Sequence, residues 1–568
     1  MRALSLLQIA PFRARPHISF RSFATIAMAS ATAEAPRVLN AIANGDNNSQ
    51  NRPPKRQNRG TTRVWNKKKT KREKNITEGS SEDVLKHDID AIREARKADF
   101  FNSSGEQEEQ LPQEGTETDV EVLEVSSTGD GLAMRAGSEH VYIVPFTVPG
   151  DTAKVKVFRH LRSEKQTLAD FISITKPSPL RDDARIQCKY FASCGGCQFQ
   201  MLEYPEQLRL KKRVLEKAYQ NFSNLDPAIV PTIQDTIGSP LQYGYRTKLT
   251  PHFDGPPGFR PSKRGKNPDV PFPSCPDIGY MQKGRRQVLD IEDCPIGTSA
   301  VRLGMTRERE RMQTDYVNYK RGATILLREN TQRFPKDSDE IPQELPPFAV
   351  RVENDTTVDI KSCITDSKAT TTEYIGDYTF TNPAGSFFQN NNSILPTFTN
   401  YIRDRILPPS GDIKYLIDAY SGSGLFTITL SSLFQHSIGI DIAADSIAFA
   451  GRNARLNGMG QDRCEFIAAD AGELFKSVGT YDRDQTVVVL DPPRKGCDAS
   501  FLSQLRRFGP RRVLYVSCNV HTQARDVGVL VRGEGEGERY EIESLVGFDF
   551  FPQTGHVEGV AILNRVDS

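Results

Sequence analysis

From residue 415 onward the chain repeats one pattern, a short apolar or β-branched run that stops at a polar residue. Tyr415-Leu416-Ile417 runs into Asp418, Ile438-Gly439-Ile440 into Asp441, and Phe466-Ile467-Ala468-Ala469 into Asp470. Thr486-Val487-Val488-Val489-Leu490 then runs into Asp491, and Val513-Leu514-Tyr515-Val516-Ser517 into Cys518. Runs without polar alternation read as strands buried on both faces of a parallel sheet. With helical stretches between them, the order predicts a doubly wound, Rossmann-like α/β domain over 386–568. Ligands of such sheets bind beyond the carboxyl ends of the strands. The pattern therefore sets four acids and one thiol on the ligand edge.

Upstream, the pattern changes. Residues 115–177 carry short alternating runs, Val120–Val125, Val141–Val144, Ala153–Val157 and Ala169–Ile174, with a Thr128-Gly129-Asp130-Gly131 turn among them. Short strands with glycine turns predict a small OB-like β-barrel. Lys154, Lys156, Arg159, His160, Arg162 and Lys165 lie on it, a charge pattern suited to RNA. An amphipathic helix follows from Tyr204 to about Tyr219, with Leu208, Leu215 and Tyr219 on one face. The rest of 185–385 reads as a β-rich central domain, interrupted by Pro- and charge-rich insertions around 255–275 and 331–347. Within it, Tyr243-Gly244-Tyr245-Arg246 and Lys248 interleave aromatics with cations, a composition suited to stacking and phosphate contact on RNA.

Residues 34–114 are rich in Asn, Gln, Pro, Gly and charge, with little to bury, and read as disordered. Lys55-Arg56, Arg59, Arg63, Lys67–Lys69 and Lys71-Arg72 form a dense basic block there, suited to a nuclear address, a phosphate-binding arm or a solvated linker. Residues 1–33 hold Arg2, Arg13, Arg15 and Arg21 and no acid before Glu34, the profile of a mitochondrial transit peptide or of an irregular N-terminus. With Met28 as a second start, dual placement in mitochondrion and nucleus or cytoplasm is an expectation.

Composition adds bounds. A chain of 568 residues exceeds a single core. Its 74 basic and 72 acidic residues nearly cancel, so the distribution of charge carries more than its sum. No apolar run is long enough for a membrane helix. Nine cysteines are too few for a disulfide scaffold in a chain of this length. Cys188, Cys194 and Cys197 sit within ten residues around Gly195-Gly196, and Cys294 follows in Asp293-Cys294-Pro295. Three close thiols and one distant one can close a tetrahedral or cubane site. Zinc usually takes paired Cys-x2-Cys knuckles. A lone Cys before Pro fits an iron–sulfur site better, with zinc or no metal as alternatives.

The loop Asp418-Ala419-Tyr420-Ser421-Gly422-Ser423-Gly424 joins a strand to an apolar helix and lets a ligand approach backbone amides. Asp441 ends the next strand, placed for ribose hydroxyls, and Asp470 the third, placed for an adenine amino edge. Both S-adenosylmethionine and dinucleotide sites use this arrangement. Asp491-Pro492-Pro493-Arg494 separates them, because two prolines stiffen the loop and leave the carboxylate facing the cleft.

With that motif the chain resembles the RNA 5-methyluridine methyltransferases, the tRNA and rRNA (uracil-5-)-methyltransferase family. The resemblance runs from about 118 to 566. It rests on Phe387-Phe388-Gln389-Asn390, the Asp418–Gly424 loop, Asp491–Lys495, Val516-Ser517-Cys518-Asn519 and Asp549–Glu558. It implies that the barrel is a TRAM module and that Cys188, Cys194, Cys197 and Cys294 hold a four-iron four-sulfur cluster. It further implies that Gln389, Tyr420, Asp441 and Asp491 contact S-adenosyl-L-methionine, that Cys518 is the nucleophile and that Glu558 is the base.

The chemistry explains those residue types. Carbon 5 of uracil is a weak nucleophile. A thiolate adding to carbon 6 makes the ring an enolate, and after methyl transfer a base removes the hydrogen on carbon 5 so that the thiol leaves. The uridine must first leave its stack, and Phe387, Phe388 or Phe551 are candidates to hold it. A methylcytosine enzyme of related type uses a second cysteine in the fourth-strand motif, where this chain has Asp491. The expected substrate is the T-loop uridine 54 of tRNA, acted on by a monomer. An rRNA substrate and a noncatalytic tRNA-folding role are the alternatives.

Overall fold

In the computed structural model, residues 76–96, 110–136, 138–259, 270–409, 411–469, 475 and 478–567 are described. Asp470, the transit-like segment and the basic block lie outside them.

The barrel forms from β1 (Glu117–Val125), β2 (Gly131–Met134), β3 (Val141–Val144), β4 (Thr152–Leu161) and β5 (Gln166–Lys176), closed in the order β1-β2-β3-β5-β4. In β4 the alternation places Ala153, Val155 and Val157 in the barrel core and leaves Lys156 and Phe158 outside. Closure matters physically because it removes unpaired strand edges.

The C-terminal sheet has seven strands: β6 (Tyr415–Ala419), β7 (His436–Asp441), β8 (Cys464–Ala468), β9 (Thr486–Leu490), β10 (Arg512–Ser517), β11 (Tyr540–Phe548) and β12 (Glu558–Arg565). Their order is β8-β7-β6-β9-β10-β12-β11, with β12 antiparallel to both neighbours. Because β12 runs backwards, its first residue stands at the same edge as the last residues of the parallel strands. Apolar layers cover both faces, one holding Ile417, Val488, Val513 and Tyr515, the other Leu416, Val487, Leu514 and Val516. Four of the five apolar runs thus pack as strands buried on both sides. Phe466–Ala469 instead lies on the edge strand β8, half-buried with Ala468 exposed, because an edge strand has a neighbour on one side only.

A hairpin, Thr370–Ile375 with Tyr378–Pro383, precedes residue 386 yet is tied to this domain. Thr381 N donates to Asn453 Oδ1 (2.8 Å) and Thr379 N to Asn457 Oδ1 (2.9 Å), both asparagines belonging to the helical turns behind β7.

Three expectations need correction. The stretch 34–114 is not wholly without structure, since α1 (Ser81–Ala95) lies inside it. Ser80 caps this helix, accepting from Asp83 N, and Asp83 accepts from Gly79 N (3.1 Å). Val84, Ile89 and Ile92 recur at helical spacing and are buried against other elements, a small signal outweighed by the polar surroundings.

The insertion placed at 331–347 begins inside a strand, because Leu327–Pro335 pairs along its length with Thr357–Ile364. Nor is Tyr243–Lys248 an exposed stacking strip. Tyr245 is buried, donating to Pro552 O (3.1 Å), and Lys248 donates to Gly385 O (3.0 Å) and Ser386 O (2.9 Å). Composition alone cannot tell an aromatic that stacks on a base from one that fills a core.

The amphipathic helix is α2 (Tyr204–Phe222), which buries Leu215 and Tyr219 and leaves Leu208 half-buried. No described helix is long and apolar enough to cross a membrane.

Candidate active site

Register explains how the site assembles. Ala419 pairs with Ile440 and with Leu490, so Tyr420, Asp441 and Asp491 leave adjacent strand ends side by side. Ser517 pairs with Gly559, which brings Cys518 opposite Glu558. The sheet thus joins residues that stand 40 positions apart in sequence, the nucleophile and base expected from the chain.

Electrostatics tie the group together. The half-buried Cys518 thiol is pushed up to about 12, by burial first and then by Glu558 and Asp491, while a hydrogen bond and charge from Arg494 oppose the shift. Glu558 is buried, and burial followed by Asp491 raises it well above the usual carboxylate range, again against Arg494. Asp491 is raised by burial and then by Asp418. Two carboxylates and a thiol therefore share a poorly solvated space, with the exposed Arg494 at its edge, and each alters the others' charge. Such clustered shifts are characteristic of reacting groups. Arg494 was part of the quoted motif without an assigned role; its position beyond two prolines, on the same stiff loop as Asp491, was the available signal.

The glycine loop forms the neighbouring cradle. Tyr420 is held at φ +66°, unusual for a residue with a side chain. Gly424, at φ +90°, caps α3 (Leu425–Leu430). Gly422, at φ +54°, faces open space: a Cβ there would have no atom within 4 Å. Asp441 Oδ2 accepts from Gly422 N (3.0 Å) and Oδ1 from Ala443 N (2.8 Å), so it holds the loop while standing beside the cradle. Gln389 is nearly buried at the entrance to the domain.

Asp418 takes a different place. It is fully buried, its Oδ2 accepting from Thr427 N (2.9 Å) and Oγ1 (2.6 Å), and burial lifts it to about 7. It anchors the loop to α3 from below. Open loop space and an acid at the next strand end suit a nucleoside ligand such as S-adenosylmethionine.

Of the three phenylalanines, Phe388 is core and packs on Phe380. Phe551 is half-buried, and Phe387 projects with 77% of its surface exposed.

The four cysteines Cys188, Cys194, Cys197 and Cys294 are free and lie within electrostatic reach of one another. Cys197 is pushed up to about 12 by burial and then, beyond a hydrogen bond from Gln200, by Cys294, Cys188 and Cys194. Backbone amides at Tyr190 and Phe191 donate to Cys188, at Gly196 to Cys194 and at Ile296 to Cys294. Among the described residues no three ligating side chains converge as ligands of one metal ion do. A cubane spreads its thiolates over four corners and needs no such convergence. Amides aimed at sulfur are what metal-bound thiolates need, so the donor set is compatible with a cluster.

This cysteine loop also braces the segment that leads into Glu558. Gln198 N and Phe199 N donate to Gln553 O (2.7 and 3.0 Å), and Gly555 N donates to Gln198 Oε1 (2.9 Å).

The sheet order with its one reversed strand, the glycine loop and the acids at its carboxyl edge define a methyltransferase domain. Residues 369–566 match the model of the tRNA (Uracil-5-)-methyltransferase family. The chain is 43% identical to a tRNA (uracil(54)-C(5))-methyltransferase of Schizosaccharomyces pombe, over 88% of this chain and 86% of that one. It is 41% identical to the protein of the same name from Saccharomyces cerevisiae, over 79% and 73%. The chain belongs to the tRNA (uracil-5-)-methyltransferase family. A solved Pyrococcus abyssi tRNA (uracil-54, C5)-methyltransferase in complex with S-adenosyl-L-homocysteine shares the fold, with TM-score 0.52 and 23% identity over 79% of this chain and all of that one.

Proposed function

We propose that the protein methylates carbon 5 of a uridine in tRNA, uridine 54 of the T-loop, using S-adenosyl-L-methionine. The observation that carries this reading is the meeting of Cys518 and Glu558 across Asp491 and Arg494. The names of the two yeast relatives support the substrate.

Gln389, Tyr420, Gly422, Gly424, Asp441 and Asp491 hold the sulfonium donor, with Asp418 fixing the loop beneath it; Asp470 remains a candidate for its adenine. Bound there, the donor supplies an electrophilic methyl group.

Cys518 acts as a thiolate, which Arg494 stabilises. Its sulfur bonds to carbon 6 of the uracil, and the displaced π electrons make carbon 5 nucleophilic toward the methyl group. Glu558, as carboxylate, then takes the hydrogen from carbon 5; those electrons re-form the double bond and expel the Cys518 sulfur. Burial helps here too, because a carboxylate short of solvent is a stronger base.

The barrel serves as a TRAM-type RNA module through exposed Lys156, Phe158 and Arg159. Cys188, Cys194, Cys197 and Cys294 hold a four-iron four-sulfur cluster as a structural staple. The Arg-bearing start and the basic block support a distribution between mitochondrion and nucleus or cytoplasm.

The deciding experiment uses Cys518→Ala. It should abolish methyl transfer and the covalent adduct with 5-fluorouridine RNA while RNA binding persists. Full activity in that variant would remove the mechanism.

A further inference from the structure

The catalytic thiol opens onto a cavity of about 500 Å³, a size suited to a nucleotide. One wall carries Cys518, Arg494 and Lys495. The turn Thr77–Ser81 at the head of α1 also lines the cavity, together with Ser127 and Thr128 of the barrel.

The turn is held close. Asn519, the residue after the nucleophile, donates from Nδ2 to Gly79 O (3.3 Å) and to Arg494 O (2.9 Å), joining the turn to the Arg494 loop. Gly79 has φ +74°, and a Cβ there would come within 2.9 Å of Thr522 Cγ2.

Behind the turn, α1 is latched. The buried Asp88 accepts from Lys217 Nζ (2.8 Å), Ser127 N (2.6 Å) and Ser127 Oγ (3.2 Å). Val84 packs with Leu215, Tyr219 and Phe222, while Ile89 and Ile92 pack on the barrel beside Leu132 and Val141.

The cavity also presents unmet polarity. His521 lines it, and its Nδ1 is buried with no hydrogen-bond partner among the described residues. The groups that face His521 are Asp83, His87 and Asp88. Thr77, Glu78 and Ser81 are exposed, and the exposed cations Arg494 and Lys495 line the same cavity.

We propose that the turn Thr77–Ser81, fixed by α1, is a wall of the RNA cleft and contacts the nucleotide adjoining the uridine held at Cys518. An upstream segment thereby joins the barrel and the sheet in gripping the substrate strand. The inference rests on the uridine methyltransferase reading above.

The test uses the full-length protein and a tRNA carrying 5-fluorouridine at the target and 4-thiouridine at an adjacent position. After the adduct forms, illumination and peptide mapping should place a photo-cross-link within residues 77–81. A Cys518 adduct whose cross-links all map elsewhere overturns the inference and leaves the methyltransferase reading standing. Absence of any adduct removes that reading, and the inference with it.

A second measurement uses T77E combined with S81E, both at exposed sites. Two added carboxylates facing the phosphodiester strand should raise KM for tRNA about ten-fold, with S-adenosylmethionine affinity and melting temperature unchanged. An unaltered KM counts against the contact.

Discussion

Arg494 shows how one residue governs the reactivity of another. Burial and two carboxylates disfavour the Cys518 thiolate, and the guanidinium is the group that works the other way. A cysteine must be deprotonated to attack, so the rate of adduct formation rises with pH as the thiolate forms. Replacing Arg494 with Gln removes the opposing charge and raises the thiol further. The rising limb of the single-turnover profile should therefore move to higher pH, with transfer at neutral pH slowed on the order of 100-fold.

Asp418 shows the converse for stability. Its folded-state pKa of about 7 stands above the ordinary 3.8, so the folded protein holds the proton more tightly than the unfolded chain. Its contribution is most favourable below the ordinary value and is lost as pH rises toward 7. Asp418→Asn keeps an acceptor for Thr427 without a buried charge. It should melt several degrees above the parent at pH about 8, with the gap closing near pH about 4; thermal scans at the two pH values decide.

At the scale of elements, the segment Asp549–Glu558 matters as a braced unit. Asp549 pairs with Lys211 of α2, both side chains fully buried, and also accepts from Tyr204 OH (3.0 Å) and from Phe551 N (3.1 Å). Gln207 Nε2 donates to Gln553 Oε1 (3.1 Å), and Gln553 N donates back to Gln207 Oε1 (3.0 Å). Helix α2 thus fixes the path of the chain into β12, and with it Glu558. Removing one partner of a buried ion pair leaves an uncompensated charge, at a cost of about 3–5 kcal/mol. Lys211→Met should lose that much in urea denaturation, and Lys211→Met with Asp549→Leu should recover part of it. A single variant as stable as the parent would show that the pair does not hold the segment.

Across the whole molecule, the cysteine loop joins parts distant in sequence. Gln198, next to Cys197, donates to Thr128 O of the barrel (2.9 Å) and accepts from Gly555 N of the Asp549–Glu558 segment (2.9 Å). A cluster held at Cys197 would stiffen both connections at once. Protein purified without oxygen should contain about four iron and four sulfide per chain. Cys197→Ser should lose both and lower the melting temperature, with a smaller loss of methyl transfer than Cys518→Ala. A colourless, zinc-loaded parent would assign the four thiols to zinc instead.

The apolar runs between 415 and 517 determined their own strands, four of them because a stretch with no polar alternation is best accommodated when buried on both faces. Each run also placed a chemically useful residue at its end. Cys518 stood out at a strand end and the four thiols by their spacing, whereas Glu558 was singled out only by the family resemblance. What the chain could not express locally was which of these meet. Glu558 reaches Cys518 because β12 is reversed between β10 and β11, and Arg494 reaches both because its loop leaves β9, the strand beside β10, at the same sheet edge. Likewise, Tyr245 looks in sequence like an RNA-facing aromatic and α1 like part of a disordered linker. Burial decides both, and burial is a property of the neighbours that folding brings, not of the residues alone.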